Sequence, residues 1–353
     1  MKRGKKVFTE KNSYREMLTC ENMQPLLECF AGKTICEFLS REENIDQPIS
    51  VIEEKGPLPW GVMFSREGFL EGVNTAWQLQ KEGKWSIVPV WNKEQKIPVQ
   101  DSTENSVFFL TTTEMSNQPQ PAVVICPGGG YEYVSYELEG IWFARRFVQA
   151  GYKPFVLNYR VSPNRYPLPQ MDLAYTIMQI RKNAKQYGIN PNRILVVGSS
   201  AGGHLAASVA ALHKQVKENV LEWLHPNSPE MVQQYQEVSA KPDAVCLCYP
   251  VITFDEKHRH DGSYLALTGG EESLKKALSV ETLVTPEYPK TYVWCCEDDA
   301  AVPPSNTTML QKALEQQGVC HKMEVFPTGG HGCGLAAGTS AESWVQDMLD
   351  FMK

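Results

Sequence analysis

The sequence predicts the α/β class, a mainly parallel, doubly wound sheet with helices on both faces, and three observations carry that expectation. From Ala122 onward, short apolar runs rich in β-branched residues alternate with helical periods, the pattern of strands buried on both faces. The stretch Arg193 to Ala207 reads as strand, sharp turn and helix, with Gly198, Gly202 and Gly203 surrounding Ser200. Two later strands run directly into loops that carry carboxylates and a histidine, at the strand ends where open α/β sheets place their sites.

Taken in order, Tyr14 to Arg41 has a helical period, with Met17, Leu18, Met23, Leu26, Leu27, Phe30, Ile35 and Phe38 spaced among charges. Residues 46–59 are polar, carry three prolines and read as a linker or surface loop. Residues 1–59 are therefore expected to form an N-terminal helical extension, and residues 60–353 the α/β domain. The tryptophans at 60, 77, 85 and 91 suit a sugar-stacking surface or a core, and aromatic residues are more often core. Ser86 to Val90 and Ser106 to Thr112 are expected as an antiparallel hairpin. Strands follow at 122–126, 155–158, 194–197, 244–249, 292–296 and 322–326, with helices at 140–150, 169–187, 305–317 and 340–352. Right-handed crossovers join them into one sheet. Residues 213–241, with Val220, Leu221, Trp223, Leu224, Met231 and Val232, read either as a cap over the site or as a surface excursion with one helix.

A formal net charge of -7, with no block of lysine or arginine beyond the first six residues, excludes nucleic acid and anionic membrane as expected partners and favours a small molecule. The basic first residues lead into Lys11, Asn12 and Tyr14 rather than an apolar stretch, and no apolar run reaches the roughly 20 residues of a membrane span. A soluble, cytoplasmic protein is expected. The ten cysteines lack Cys-x-x-Cys pairs and fall largely in predicted buried strands, so they read as core thiols rather than disulfides or a zinc site. His258, His260 and Asp261 suit a solvated loop better than a metal site.

Gly-x-Ser-x-Gly at 198–202, between a strand and a helix, is the pattern of a nucleophile elbow. A phosphate-binding loop would need lysine where His204 stands. A serine hydroxyl needs a base to take its proton and an acid to orient that base. Strand 292–296 leads into Glu297, Asp298 and Asp299, and strand 322–326 into a glycine-rich loop bearing His331. The order Ser200, Asp299, His331 supplies nucleophile, acid and base. After Cys126 come Pro127, Gly128, Gly129, Gly130 and Tyr131, whose spacing does not fit a dinucleotide loop. Gly129, Gly130 and Ala201 are the candidate oxyanion donors. The rings of Tyr131, Tyr133, Tyr136 and Trp142 follow that loop and are the candidate substrate contacts.

Seven motifs make the likeness specific: Pro-Gly-Gly-Gly-Tyr at 127–131, Glu-Gly at 139–140, Leu-Asn-Tyr-Arg-Val at 157–161, Gly-Ser-Ser-Ala-Gly-Gly-His-Leu at 198–205, Tyr-Pro-Val-Ile at 249–252, Asp-x-x-Val-Pro at 299–303 and Gly-His-Gly-x-Gly-Leu at 330–335. Over residues 105–353 the chain resembles the α/β-hydrolase esterases related to acetyl xylan esterase and the bacterial feruloyl esterases. The resemblance implies an α/β-hydrolase fold and a serine carboxylesterase with no metal or organic cofactor. Its triad would be Ser200, Asp299 and His331, with Asp299 preferred to Asp298 because it alone satisfies Asp-x-x-Val-Pro. It also implies an acylated carbohydrate, an acetylated oligosaccharide above all, as substrate. A prolyl-oligopeptidase-like peptidase shares fold and order, but the N-terminal part is too short for its propeller. A general short-chain carboxylesterase or lipase-like enzyme and a non-catalytic binding protein are the other readings. Acyl length, the alcohol moiety, the role of the first 100 residues and the oligomeric state, homo-oligomer included, stay open at this point.

Overall fold

A computed structural model describes residues 7–20, 23, 26–27, 33–54, 66–91 and 107–353. The described chain divides into two compact units at Ser86/Ile87; the boundary expected at 59/60 lies outside the described residues.

In the first unit, Ser13 caps helix Tyr14–Leu18 through a capping box with Glu16. Helices Lys33–Leu39, Ile49–Glu54 and Arg66–Glu82 follow. Two of these differ from expectation. Residues 49–54 are helical although 46–59 read as a linker, because Pro48 sits just before the first turn, where a missing N–H costs nothing. Helix Arg66–Glu82 buries Phe69, Leu70, Val73, Ala76 and Leu79 on one face, a helical spacing that the aromatic content of 60–91 obscured. Asn74 ties this helix to Phe8, accepting its N–H at 2.9 Å and donating to its carbonyl at 2.9 Å. Trp77 is half-buried, its ring edge-on to Phe8.

The second unit is organised by an eight-stranded sheet in the order β1-β2-β4-β3-β5-β6-β7-β8. The strands are β1 (Trp85–Pro89), β2 (Phe108–Thr112), β3 (Gln120–Cys126), β4 (Lys153–Asn158), β5 (Ile189–Ser199), β6 (Ala244–Cys248), β7 (Lys290–Cys296) and β8 (His321–Phe326). From β4 to β8 all neighbours are parallel, while β2 runs antiparallel to β4. This is the α/β-hydrolase fold. After β3 the chain moves to one side to form β4, then returns to the other side of β3 for β5. Winding therefore reverses between β3 and β5, and their carboxyl ends open a crevice at that switch point.

Alternate residues of the strands serve opposite faces. Ala122, Val124, Ile194, Val196, Val245, Leu247 and Val293 join one core with helices Leu168–Lys182 and Ser200–Asn227. On the opposite face Trp294 stacks on Trp344 at 5.4 Å, and Trp344 meets Phe143 at 5.2 Å. Trp91 is buried: its indole N–H donates to Asp172 at 2.8 Å, and Asp172 pairs with the fully buried Arg160 at 2.6 Å. Trp91 is thus core rather than a stacking platform.

Residues 213–227 continue the helix that begins at Ser200, with a kink at Leu212. At 1.5 Å per residue, residue 213 is already about 20 Å from Ser200 along the axis. The segment returns through helix Pro229–Tyr235, whose Tyr235 packs on Tyr175, to Ser239, whose carbonyl accepts from Arg181. Arg181 also pairs with Asp243, just before the amino end of β6. Residues 213–241 are therefore remote from Ser200 and do not cap it. Helices Asp261–Thr268 and Glu272–Ala277 are two further elements without a counterpart in the sequence reading.

Candidate active site

Ser200 stands at the turn between β5 and the long helix with φ of 53°, a left-handed conformation that a serine adopts only under constraint. The constraint is steric. A Cβ on Gly202 would lie 2.1 Å from the Cys126 carbonyl oxygen, and one on Gly198 would lie 2.2 Å from that of Gly202. The glycines two before and two after the serine let the elbow press against the end of β3. Ser199, next to it, is buried, and among the described residues its hydroxyl has no hydrogen-bond partner.

The structure brings Ser200, His331 and Asp299 together. Ser200 Oγ lies 2.8 Å from His331 Nε2, and His331 Nδ1 lies 2.7 Å from Asp299 Oδ2. The Asp299 side chain is fully buried, and its Oδ1 accepts the N–H groups of Ala301 at 3.0 Å and Val302 at 2.9 Å. Those two donors fix the carboxylate so that only Oδ2 faces the imidazole. Asp298, exposed, points elsewhere: it accepts from Gly330 N–H at 2.8 Å and Gly329 N–H at 3.3 Å, and the Gly330 bond lowers its pKa. Asp298 fastens the histidine loop from outside, a role that spacing alone did not reveal.

The loop after β3 packs directly on the elbow. A Cβ on Gly128 would lie 2.9 Å from Ser200 Cβ, and one on Gly129, at φ of 124°, would strike the Tyr133 carbonyl oxygen at 2.1 Å. Glu132 and Tyr133 donate their N–H groups back to the Gly129 carbonyl, closing a tight turn. Gly128 N–H is taken by Glu139 Oε2 at 2.7 Å. Ala201 is the second residue of the elbow helix, in the first turn, where the N–H groups have no intrahelical acceptor.

Tyr131 is a correction. Instead of facing a substrate it is wholly buried, because a φ of 61° turns its ring down against the elbow helix. Its hydroxyl meets His204 Nδ1 at 2.9 Å, while His204 Nε2 lies 2.8 Å from the Leu278 carbonyl. A carbonyl only accepts, so Nε2 carries the proton and Tyr131 donates to Nδ1. Burial pushes His204 down to about 4, so this histidine is a neutral strut between the glycine loop and the elbow. Tyr136 is also buried, donating to the Val156 carbonyl at 3.1 Å. Tyr133 and Trp142 remain exposed, at 60% and 38%.

His258, His260 and Asp261 have separate partners. His258 meets Ser305 Oγ at 2.9 Å, Asp261 pairs with Arg259, and His260 caps helix Asp261–Thr268 by accepting from Ser263 N–H. His260 stands beside the glycine loop, 3.9 Å from where a Gly130 Cβ would be. Burial and the nearby His331 lower its pKa. Sequence reasoning gave His204 and His260 no place in the site and weighed Asp298 only as the rival acid, and it quoted Glu139 and Tyr249 only as letters of motifs.

A tight strand-serine-helix turn at the switch point of this sheet, with a histidine and a buried aspartate in hydrogen-bonded line, fits the α/β-hydrolase class that the fold defines. The BD-FAE family model matches residues 110–314, more than half the chain, and the protein belongs to that family. The chain is 31% identical over 228 residues to an endo-1,4-beta-xylanase B of Butyrivibrio fibrisolvens, covering 63% of this chain and 34% of that one. It is 28% identical over 260 residues to an acetylxylan esterase of Xylanibacter ruminicola, covering 72% and 48% respectively. It thus spans about a third and about half of these relatives. A solved acetyl ester-xyloside bifunctional hydrolase from Caldicellulosiruptor lactoaceticus superposes with a TM-score of 0.67 at 32% identity, covering 76% of this chain and 95% of that one. Among the described residues no helix is long and apolar enough to cross a membrane.

Proposed function

We propose that this protein is a serine carboxylesterase that removes short acyl groups, acetyl above all, from small carbohydrates through an acyl-enzyme on Ser200. The observation that carries the reading is the unbroken line of hydrogen bonds from Ser200 Oγ through His331 to Asp299. Ser200 attacks the ester carbonyl while His331 Nε2 accepts its proton, and Asp299 holds the Nδ1–H tautomer and balances the imidazolium. The N–H groups of Gly129, Gly130 and Ala201 receive the charge that forms on the carbonyl oxygen. His331 then returns the proton to the departing alcohol. Water, activated by the same nitrogen, attacks the acyl-serine, and the acid leaves with Ser200 restored. No step calls for a metal or an organic cofactor.

The carbohydrate part of the reading draws on the relatives named as an acetylxylan esterase and an acetyl ester-xyloside bifunctional hydrolase. It also draws on Tyr133 and Trp142, exposed aromatic rings that follow the glycine loop and offer apolar faces to a pyranose. A reducing, cytoplasmic setting fits the described cysteines, all of them free thiols. The test is acetate release from acetylated xylo- and manno-oligosaccharides, measured beside hydrolysis of acetyl, butyryl and octanoyl aryl esters. Acetate from the sugars and a preference for acetyl over octanoyl are expected. Octanoyl preference with no acetate from any sugar would remove the carbohydrate reading and leave a general carboxylesterase.

A further inference from the structure

Glu139 is a buried carboxylate, 3% exposed, in a π-helical turn (Tyr136–Ile141) that touches both loops of the site. Its Oε2 accepts Gly128 N–H at 2.7 Å and its Oε1 accepts the Tyr249 hydroxyl at 2.7 Å. Tyr249 in turn accepts Gly334 N–H at 3.1 Å, three residues beyond His331. The Tyr249 ring stands edge-on to the His331 ring at 5.1 Å and to Trp294 at 5.0 Å, on a backbone held at φ of 37°. The same turn meets the histidine loop a second time, for a Cβ on Gly334 would lie 2.9 Å from Leu138. One carboxylate therefore spans the glycine loop on one side and, through Tyr249, the histidine loop on the other.

We infer that Glu139 is a positioning residue for the reaction: it ties the oxyanion loop to the His331 loop and supplies a second buried negative charge beside the imidazole. The inference rests on the serine-esterase reading above. By taking Gly128 N–H, Glu139 fixes the first peptide of the glycine run, which leaves the N–H groups of Gly129 and Gly130 to face the developing oxyanion. A glutamine cannot replace it without loss. Gly128 N–H and the Tyr249 hydroxyl both donate toward residue 139, so one side-chain amide face would meet a donor. Tyr249 would have to reverse its hydroxyl, which already accepts from Gly334, and its proton would lose its acceptor.

The groups facing these two residues are few. Tyr133, Tyr159, Tyr249, Cys248 and Cys333 surround Glu139, and burial pushes all five upward, so they stay neutral through the assay range. Asp299, Tyr249, Glu139 and His260 face His331. Burial raises Glu139 above the ordinary carboxylate range, while Tyr249, Gly128, His331 and Ser135 pull it back. Protonation of Glu139 therefore adds to the acid limb of the rate profile. Replacing it by glutamine removes both that titration and a charge that favours imidazolium, and both changes move the limb to lower pH.

The experiment compares wild type with Glu139→Gln, Glu139→Asp, Tyr249→Phe and Ser200→Ala. It measures kcat and KM for an aryl acetate from pH 4.5 to 8, and labelling by a fluorophosphonate read as intact mass. Wild-type labelling that is lost in Ser200→Ala reports on the esterase reading by itself. For Glu139→Gln, kcat is expected to fall at least about tenfold with KM within about twofold, and the acid limb to move down by about half a pH unit or more. Glu139→Asp keeps the charge but is too short to span both partners, so kcat falls and the limb stays. Tyr249→Phe keeps the ring on His331 and lowers kcat about tenfold, and it decides the matter alone if Glu139→Gln does not fold. Labelled wild type with undiminished kcat in these variants, or an unmoved limb in a folded Glu139→Gln, overturns the positioning role. Unlabelled, inactive wild type overturns the esterase reading instead.

Discussion

Asp299→Asn isolates one hydrogen bond in the site, and its cost follows from the geometry. Oδ1 of Asp299 is held by the N–H groups of Ala301 and Val302, so position Oδ1 must remain an acceptor. An asparagine is therefore forced to place its oxygen there and its NH2 against His331 Nδ1. That NH2 donates, so Nδ1 must accept and the ring proton moves to Nε2, the atom 2.8 Å from Ser200 Oγ. An imidazole that donates to the serine cannot take its proton. A wrong tautomer of this kind lowers kcat about ten-thousandfold, or about 5 kcal/mol of transition-state stabilisation. Asp298→Asn keeps an acceptor for one of the two exposed N–H groups of Gly329 and Gly330, so only a loss of a few fold is expected. The assay is kcat/KM on an aryl acetate at pH 7.5, with melting curves to show that both variants are folded. If Asp298→Asn proves the more damaging, the assignment of the acid and the tautomer argument both fail.

Three other outcomes are expected. Ser200→Ala should lose at least about a thousandfold in turnover, while Ser199→Ala, whose hydroxyl is unpartnered among the described residues, should stay near wild type; reversed results would shift the nucleophile by one residue. His204 is neutral when folded, at about 4, against about 6.5 unfolded. The unfolded chain thus binds a proton that the fold refuses, so stability is complete above pH 6.5 and falls by up to about 3 kcal/mol as pH drops toward 4. Urea midpoints should decline more steeply over that range in wild type than in His204→Gln, and parallel curves would count against this account. Tyr133→Ala and Trp142→Ala should raise KM for an acetylated oligosaccharide several-fold while leaving aryl acetate hydrolysis within about twofold, and equal effects on both substrates would argue against ring–sugar contact.

The sheet was legible because a strand buried on both faces must be continuously apolar, and Ala122–Cys126, Ile194–Val197, Ala244–Cys248 and Tyr292–Cys296 all are. The elbow was legible because the close approach of Gly198 and Gly202 to backbone leaves no alternative residue. The acidic stretch 297–299 and His331 were singled out by their position after consecutive strands, and the choice of Asp299 over Asp298 came from the Asp-x-x-Val-Pro motif of the family resemblance. What spacing could not show is which way a side chain turns once the backbone enters the left-handed region. Tyr131 and Tyr133 are two residues apart in one loop, yet the first is buried on His204 and the second faces solvent. The helix at Arg66–Glu82 was hidden for another reason: its apolar face was read by its aromatic content rather than by its period of 3.6. Glu139 stood only as a letter of the Glu-Gly motif, since nothing in the spacing shows that one side chain reaches both Gly128, 11 residues away, and Tyr249, 110 residues away.

Tyr131, Ser200, Tyr249 and Ala336 are the non-glycine residues with positive φ among those described. The first three line up along the carboxyl ends of β3, β5 and β6. Such a backbone costs on the order of 1–3 kcal/mol per residue and persists only where the surroundings enforce it. Here each has a named enforcer. The His204 strut holds Tyr131, the glycines at 198 and 202 hold Ser200, and Glu139 with Gly334 holds Tyr249. His204 lies on the elbow helix, Glu139 bonds the glycine loop, and Gly334 belongs to the histidine loop, so each enforcer joins two of the segments that meet at Ser200. The strain and the alignment of the site thus have one physical source, the forced approach of three loops at a single sheet edge. A variant that relaxes one of these bonds should gain local backbone freedom and lose turnover together.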